Sequence, residues 1–337
     1  MKNSPLTKAA PPGRGGCLAV PEGQGKMPLA DELGPLRRSF TEIVGQPPEG
    51  FATAVASRLL SFRLPSPIVK GELLEDDSQE TTMHFKKLKW PEVKALDFEK
   101  RIAIVPLGSI EQHSLHLPLS VDTDIITELS ERVEAARPDT VVLLPTLWLG
   151  HSPHHRYLAS LSLEIQPYME VIKGLCDSLI RTGFHKILFL NGHGGNEIVT
   201  KAAMRDVKTK YEGRPELQIG FASYWALGRD TVSAIRESPV GGVGHACEME
   251  TSMMLNLRPE SVEMSKARTG GPFGTANKYK RLDAQYAPPV YFVDEFNDIS
   301  EHGGIGRPEM ATPEKGQKFV DGFVREIVEF VDEFAKW

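Results

Sequence analysis

The stretch IAIVPLGSIEQHSLHLPLSVDTDIITELSERVEAARPDTVVLLPTL, residues 102–147, reads as strand, loop, helix and strand again. IAIVPL (102–107) is continuously apolar, the pattern of a strand buried on both faces. Residues 124–136 have helical spacing, with an aspartate at the start and Pro138 just beyond the end. VVLLPTL (141–147) reads as a second strand with a proline near its end. The alternation continues downstream: a helix over 167–182 closed by Gly183, a strand at 186–190 (KILFL), a helix capped by Asn196 and running to about Tyr211, and a strand at 217–224. Helical patterning returns at 248–257 and from Thr312 to the C-terminus. Strands alternating with helices predict an α/β fold around a mostly parallel central sheet.

Upstream the texture differs. The first fifty residues hold eight Gly and eight Pro, a density that interrupts helical and strand periodicity alike. A short helix-compatible pattern at 51–64 is stopped by Pro65 and Pro67, and the acidic run GELLEDDSQE (71–80) follows. Residues 1–82 are therefore expected to be a largely disordered extension, and 83–337 the domain that carries the chemistry. Over the 337 residues, 39 basic and 45 acidic side chains leave a net charge of −6, so no global cationic field gathers nucleic acid or an anionic membrane. There is no apolar run of membrane-spanning length and no secretory signal in the first thirty residues, which predicts a cytoplasmic protein. Cys17, Cys176 and Cys247 are odd in number and unpatterned, as expected of reduced thiols.

Seven histidines (113, 116, 151, 154, 155, 193 and 245) fall in loops after predicted strands or at a helix entrance. In an open parallel sheet those loops gather at the carboxyl edge, where ligands bind. Glu111 and His113, two apart in an extended segment, present a carboxylate and an imidazole side by side, and Asp122 can return to the same point at the mouth of the next helix. Mixed His and carboxylate donors suit Zn²⁺, Mn²⁺ or Fe²⁺, and an aspartate can bridge two ions. The bland alternative is a solvated polar loop with Asp122 or Asp124 as a helix cap. In NGHGGN (191–196) His193 stands in a glycine turn between strand and helix. No lysine follows as in a phosphate-binding loop, so a third metal ligand is the more economical reading. In HACEMETS (245–252), Glu248 and Glu250 answer a helix N-terminus or serve the site, and Cys247 is expected to be a small buried thiol.

Together, EQHSLHLPLSVDTD (111–124), NGHGGN and HACEMETS, in this order, resemble the creatininase, or creatinine amidohydrolase, family. The resemblance runs from about Leu88 to the C-terminus and takes in SYW (223–225) and ATPEKG (311–316). It implies a three-layer α/β/α sandwich and a centre of one or two divalent ions, Zn²⁺ or Mn²⁺ with Fe²⁺ as an alternative, on Glu111, His113, Asp122 and His193. It further implies a catalytic role for His245, with Glu250 orienting it or binding metal. Trp225, Gly194 and Gly195 would border the substrate, and the assembly would be a homo-oligomer, a hexamer by resemblance. Creatininase itself places a second-metal glutamate two residues after the NGH histidine, where this chain has Gly195. That departure argues against creatinine as substrate and leaves Glu250 to fill the place. The expected activity is hydrolysis of a cyclic amide, formamide or related non-peptide C–N bond of a small molecule. Opening of a cyclitol-derived ketone is the alternative enzyme, and a metal-bound scaffold the alternative without catalysis.

Overall fold

Ile102–Leu107 forms strand β1, and each of its residues is buried because successive side chains enter opposite cores. Ile102 and Ile104 join one apolar cluster, while Ala103, Val105 and Leu107 join the other. The computed structural model describes residues 82–271, 279, 283–286 and 289–337. The expectations placed on the extension, its disorder and the short helix within it, fall on residues 1–81, outside that range.

After a single-turn helix α1 (Trp90–Lys94), the chain runs through β1, β2 (Ile110–Glu111), α2 (Val121–Ala136) and β3 (Val141–Leu143). β4 (Ser160–Leu161), α3 (Ile165–Thr182), β5 (Lys186–Asn191), α4 (Asn196–Lys210) and β6 (Gln218–Ser223) follow. The last part comprises α5 (Tyr224–Leu227), α6 (Arg229–Ile235), β7 (Val243–His245), α7 (Glu248–Leu257), α8 (Phe296–Ile299), β8 (Ile305–Gly306) and α9 (Pro313–Phe334). The central sheet has the order β3-β1-β5-β6 and is parallel throughout, with Ile104 opposite Leu143 on one side and Leu188 on the other. Parallel neighbours need crossovers, and the helices that make them cover both faces.

One face packs on α2, α7 and α9 through Ile125, Leu129, Met253, Phe319, Phe323 and Ile327. The other packs on α3 and α4 through Tyr168, Ile172, Leu179, Val199 and Ala203. The result is the three-layer α/β/α sandwich. At the start of α9 the Thr312 hydroxyl accepts the Lys315 N–H at 3.2 Å, with Pro313 in the first turn. Among the described residues, no helix is long and apolar enough to cross a membrane.

Three boundaries differ from the sequence expectations, each for a local reason. The strand expected over 141–147 keeps a regular ladder only to Leu143, since Pro145 has no N–H to donate, and Leu147 returns as an isolated bridge to Leu107. The helix expected from 124 begins at Val121, with Ser120 outside it donating its hydroxyl to Asp124 at 2.6 Å. Asn196 is the first residue inside α4 rather than its cap. Its side chain instead accepts the His151 N–H and donates to the Gly108 carbonyl, both at 3.0 Å, tying three strand-end loops together.

Candidate metal centre

Five segments deliver the site. β2, held by antiparallel pairing of Glu111 with Ser160 on β4, carries Glu111, and His113 follows two residues later. Asp122 lies in the first turn of α2, His193 in the turn after β5, His245 at the end of β7 and Glu250 in the first turn of α7. All six side chains are buried. Ser114 (φ 58°) and Ala246 (φ 51°) are the two non-glycine residues with positive φ among those described. Each directly follows a histidine of the cluster. Left-handed backbone of this kind costs ~1–3 kcal/mol and persists where the surrounding structure over-determines it.

The donors form two triads that share Asp122: Glu111, Asp122 and His193 in one, His113, Asp122 and Glu250 in the other, the ligand atoms of each lying within 4.8 Å of one another. Nδ1 of His193 is 3.3 Å from Glu111 and 3.1 Å from Oδ2 of Asp122, and Nε2 of His113 is 3.2 Å from Oδ1 of Asp122. Oδ2 of Asp122 is nonetheless out of line for a hydrogen bond and has no other partner. The far nitrogens of both imidazoles are engaged. His113 donates from Nδ1 to the Glu111 carbonyl at 3.1 Å, and His193 donates from Nε2 to the His151 carbonyl at 3.1 Å. Such outer contacts fix which ring nitrogen presents a lone pair to an ion.

The electrostatics have the sign of a cation site. Burial opposes charge on His113, but the carboxylate of Asp122 beside it lifts the imidazole to about 9. His193 is also raised against its burial, by the charge of Glu111 and by Asp122. Burial would raise Glu111, yet His193 and His155 hold it well below the usual carboxylate range. Glu250 is pushed up to about 7 by burial, with Asp122 adding to the effect. His245 is held well below the usual imidazole range, first by burial and then by His113 and His155. Two triads around one aspartate, an orphaned carboxylate oxygen and oriented imidazoles fit one or two divalent ions.

His245 donates from Nε2 to the Gln112 carbonyl at 2.6 Å and turns Nδ1 toward Glu111 at 3.7 Å. The backbone carbonyl therefore orients this ring, whereas Glu250, expected either to orient it or to bind metal, stands with His113 and Asp122. Glu248 faces away from the cluster. It accepts backbone N–H groups of Glu237 and Ser238 and pairs with Lys315 at 2.7 Å, a structural role. Cys247 is fully buried and burial pushes its thiol upward, consistent with a packed apolar side chain.

A cavity of about 920 Å³ opens over the cluster, lined among others by Trp225, His154, Gly194, Gly195, Phe296 and Tyr291. Gly195 tolerates no side chain, since a Cβ there would lie 2.1 Å from the His151 carbonyl oxygen and 2.5 Å from Nε2 of His193. His154 occupies the adjoining space, its ring stacked on His193 at 5.6 Å. Sequence reasoning gave no role to His154, His155, Gln112 or Phe296. The histidines were visible as PHH in a loop after a strand, whereas nothing in the local pattern marked Gln112 or Phe296.

A profile of the creatininase family, described as creatinine amidohydrolase, matches residues 86–331. The chain belongs to the creatininase family. Among relatives, the mycofactocin precursor peptide peptidase of Mycobacterium ulcerans is 26% identical over 242 residues, covering 69% of this chain and 84% of that protein. The 3-dehydro-scyllo-inosose hydrolase of Thermotoga maritima is 25% identical over 276 residues, covering 74% and 85%. Two creatininase structures, one with manganese and one variant of zinc–zinc type, superimpose with TM-scores of 0.62 and 0.63 at 21% and 20% identity. Each alignment covers 75% of this chain and 98% of the other. The likeness confirms the creatininase-like sandwich, and the chain is a hydrolase of that family with a candidate divalent-metal site.

Proposed function

We propose that the protein is a metal-dependent amidohydrolase that cleaves a cyclic amide, formamide or related non-peptide C–N bond of a small molecule. The observation that carries this reading is the pair of donor triads sharing Asp122 beside an imidazole whose free nitrogen faces the same cluster. Glu111, Asp122 and His193 would hold one ion, and His113, Asp122 and Glu250 a second. Zn²⁺ and Mn²⁺ suit this donor set, as does Fe²⁺. A divalent ion there supplies Lewis acidity, polarising a carbonyl and acidifying water. His245 then takes up and returns a proton at Nδ1, since Nε2 is committed to the Gln112 carbonyl. Trp225 and Phe296 add apolar surface to the cavity lining beside the cluster.

Creatinine is not the substrate we favour, because the place of a second-metal glutamate is taken by Gly195, where the fold admits no side chain. The Thermotoga relative supports a second reading, opening of a cyclic ketone at the same centre. We also read the protein as cytoplasmic and as a homo-oligomer, and the exposed Trp148, Tyr157 and Leu161 on the described surface support the oligomer alone.

Protein loaded with Mn²⁺ or Zn²⁺ should turn over members of a panel of lactams, formamides and cyclitol ketones, with activity lost to a chelator and restored by the ion. Elemental analysis of His193→Ala and Asp122→Ala should show metal content well below wild type. Undiminished content in both variants removes the site as drawn. Turnover of the ketones alone favours the second reading, and metal without turnover of any amide or ketone reduces the protein to a scaffold.

A further inference from the structure

Gln112 lies between two of the proposed ligands and does not itself face the cavity, yet its carboxamide is surrounded by groups that leave it one orientation. The backbone N–H of Ser114, which can only donate, meets Oε1 at 2.8 Å, and the carbonyl of Gly303, which can only accept, meets Nε2 at 2.9 Å. Exchanging oxygen and nitrogen would set donor on donor and acceptor on acceptor. Gly303 has φ +78°, and a Cβ there would lie 2.2 Å from Oε1 of Gln112, so the chain turns in a way that leaves room for this amide.

One Nε2 hydrogen goes to Gly303, and the other points at Nδ1 of His155, 2.9 Å away. Nδ1 must therefore accept, which puts the His155 proton on Nε2, 3.1 Å from Oε1 of Glu111, an ion-pair distance at which the N–H is out of line for a hydrogen bond. The backbone carbonyl of the same Gln112 fixes His245 in turn. It accepts from Nε2 at 2.6 Å, which leaves Nδ1 of His245 bare. The remaining contact, 3.1 Å between Nε2 of Gln112 and Nε2 of His245, is a donor facing a donor whose hydrogens are both already used. His155 is fully buried and does not line the cavity.

We propose that Gln112 and His155 are positioning residues. Gln112 sets the tautomers of two histidines at once, so that His155 holds its Nε2–H against the Glu111 carboxylate and offers no lone pair to an ion there, while His245 presents a lone pair at Nδ1. Among the described residues Glu111, His154 and His155 also have the spacing of a metal-binding group. The tautomer excludes that use, because the nitrogen turned toward Glu111 carries the hydrogen. The consequence for turnover rests on the hydrolase reading, but the tautomers do not.

Two-bond ¹H–¹⁵N correlation spectra of histidine-labelled, zinc-loaded full-length protein test this directly, with His155→Gln and His245→Gln to identify the signals. Both rings should show the Nε2–H tautomer. In Gln112→Leu the His155 pattern should lose that single form while His245, held by the backbone, keeps it. Gln112→Glu, which retains the side-chain size, should draw the His155 proton to Nδ1. His155→Phe should weaken zinc binding about 10–100-fold, the usual effect of losing an outer partner of a ligand, and His155→Gln, which can still donate an N–H, should recover most of it. An Nδ1–H or doubly protonated His155 in wild type overturns the proposal whether or not the variants fold, as does equal zinc affinity in His155→Phe and wild type. Correct tautomers without turnover of any amide would leave this device standing and remove the amidohydrolase reading.

Discussion

At the scale of single residues, His245 has one nitrogen committed and one free, and that division separates proton transfer from ligation. If Nδ1 exchanges a proton with the leaving group, its loss should cost the ~10²–10⁴-fold typical of general acid–base assistance. His245→Ala should therefore lower kcat by about that factor with metal occupancy near wild type, and His245→Asn should behave similarly, because an amide does not titrate. A variant that loses its metal instead would make His245 a ligand, in the group it forms with Glu111 and His113. Glu111, His113, Asp122 and His193 were legible in the sequence as one set because all follow strands or open helices, and parallel-sheet topology sends such positions to one edge. The company kept by Glu250 was not legible: standing with His113 rather than His245 depends on how α7 docks against α2. Nor was the bond between Gln112 and His155, 43 positions apart in the chain, since no local period encodes a contact between two loops.

At the scale of elements, the turn between β5 and α4 sets two adjacent glycines in opposite circumstances. A Cβ on Gly195 would collide with the His151 carbonyl and with His193, whereas one on Gly194 meets nothing within 4 Å. Backbone does not swing aside as a flexible side chain does, so Gly195→Ala must displace either the 150–155 loop or the His193 ring. Overpacking of this kind costs ~1–3 kcal/mol. Gly195→Ala should lower the midpoint of chemical denaturation accordingly and reduce metal content, with Gly194→Ala close to wild type in both measurements. Equal behaviour of the two variants would mean that the loop yields without cost. Long elements were readable because apolar runs and helical spacing repeat over many residues, as in Ile102–Leu107 and Glu248–Leu257, which form as expected. β2, β4 and β8 were not, since two residues carry no period. Yet β2 is the segment that brings Glu111 to the site.

At the scale of the whole molecule, the question is where the folded unit begins. Among the described residues, the first backbone group anchored to the sandwich belongs to Met83, whose N–H donates to Glu134 and whose carbonyl accepts the Leu143 N–H at 2.9 Å. His84 then pairs with the same Glu134 at 3.2 Å and forms a parallel bridge with Leu143, extending the edge of the central sheet. Glu134 is buried on α2, so these contacts are the partners of a carboxylate removed from water. The family match begins at residue 86, and every candidate site residue lies downstream of it. A chain starting at Met83 keeps each of these contacts, and its new terminal ammonium falls beside Glu134. It should retain full metal content, turnover and denaturation midpoint. A chain starting at Phe85 loses His84 and the Met83 carbonyl while leaving Glu134 buried. Stripping the partner from a buried charge costs ~3–5 kcal/mol, so this second truncation should unfold at distinctly lower denaturant although it removes only two further residues. Equal stability of the two truncations would show that Glu134 finds other partners. Loss of turnover in the Met83 chain, with its circular dichroism and metal content unchanged, would show instead that residues 1–82 contribute directly to the pocket or to the assembly.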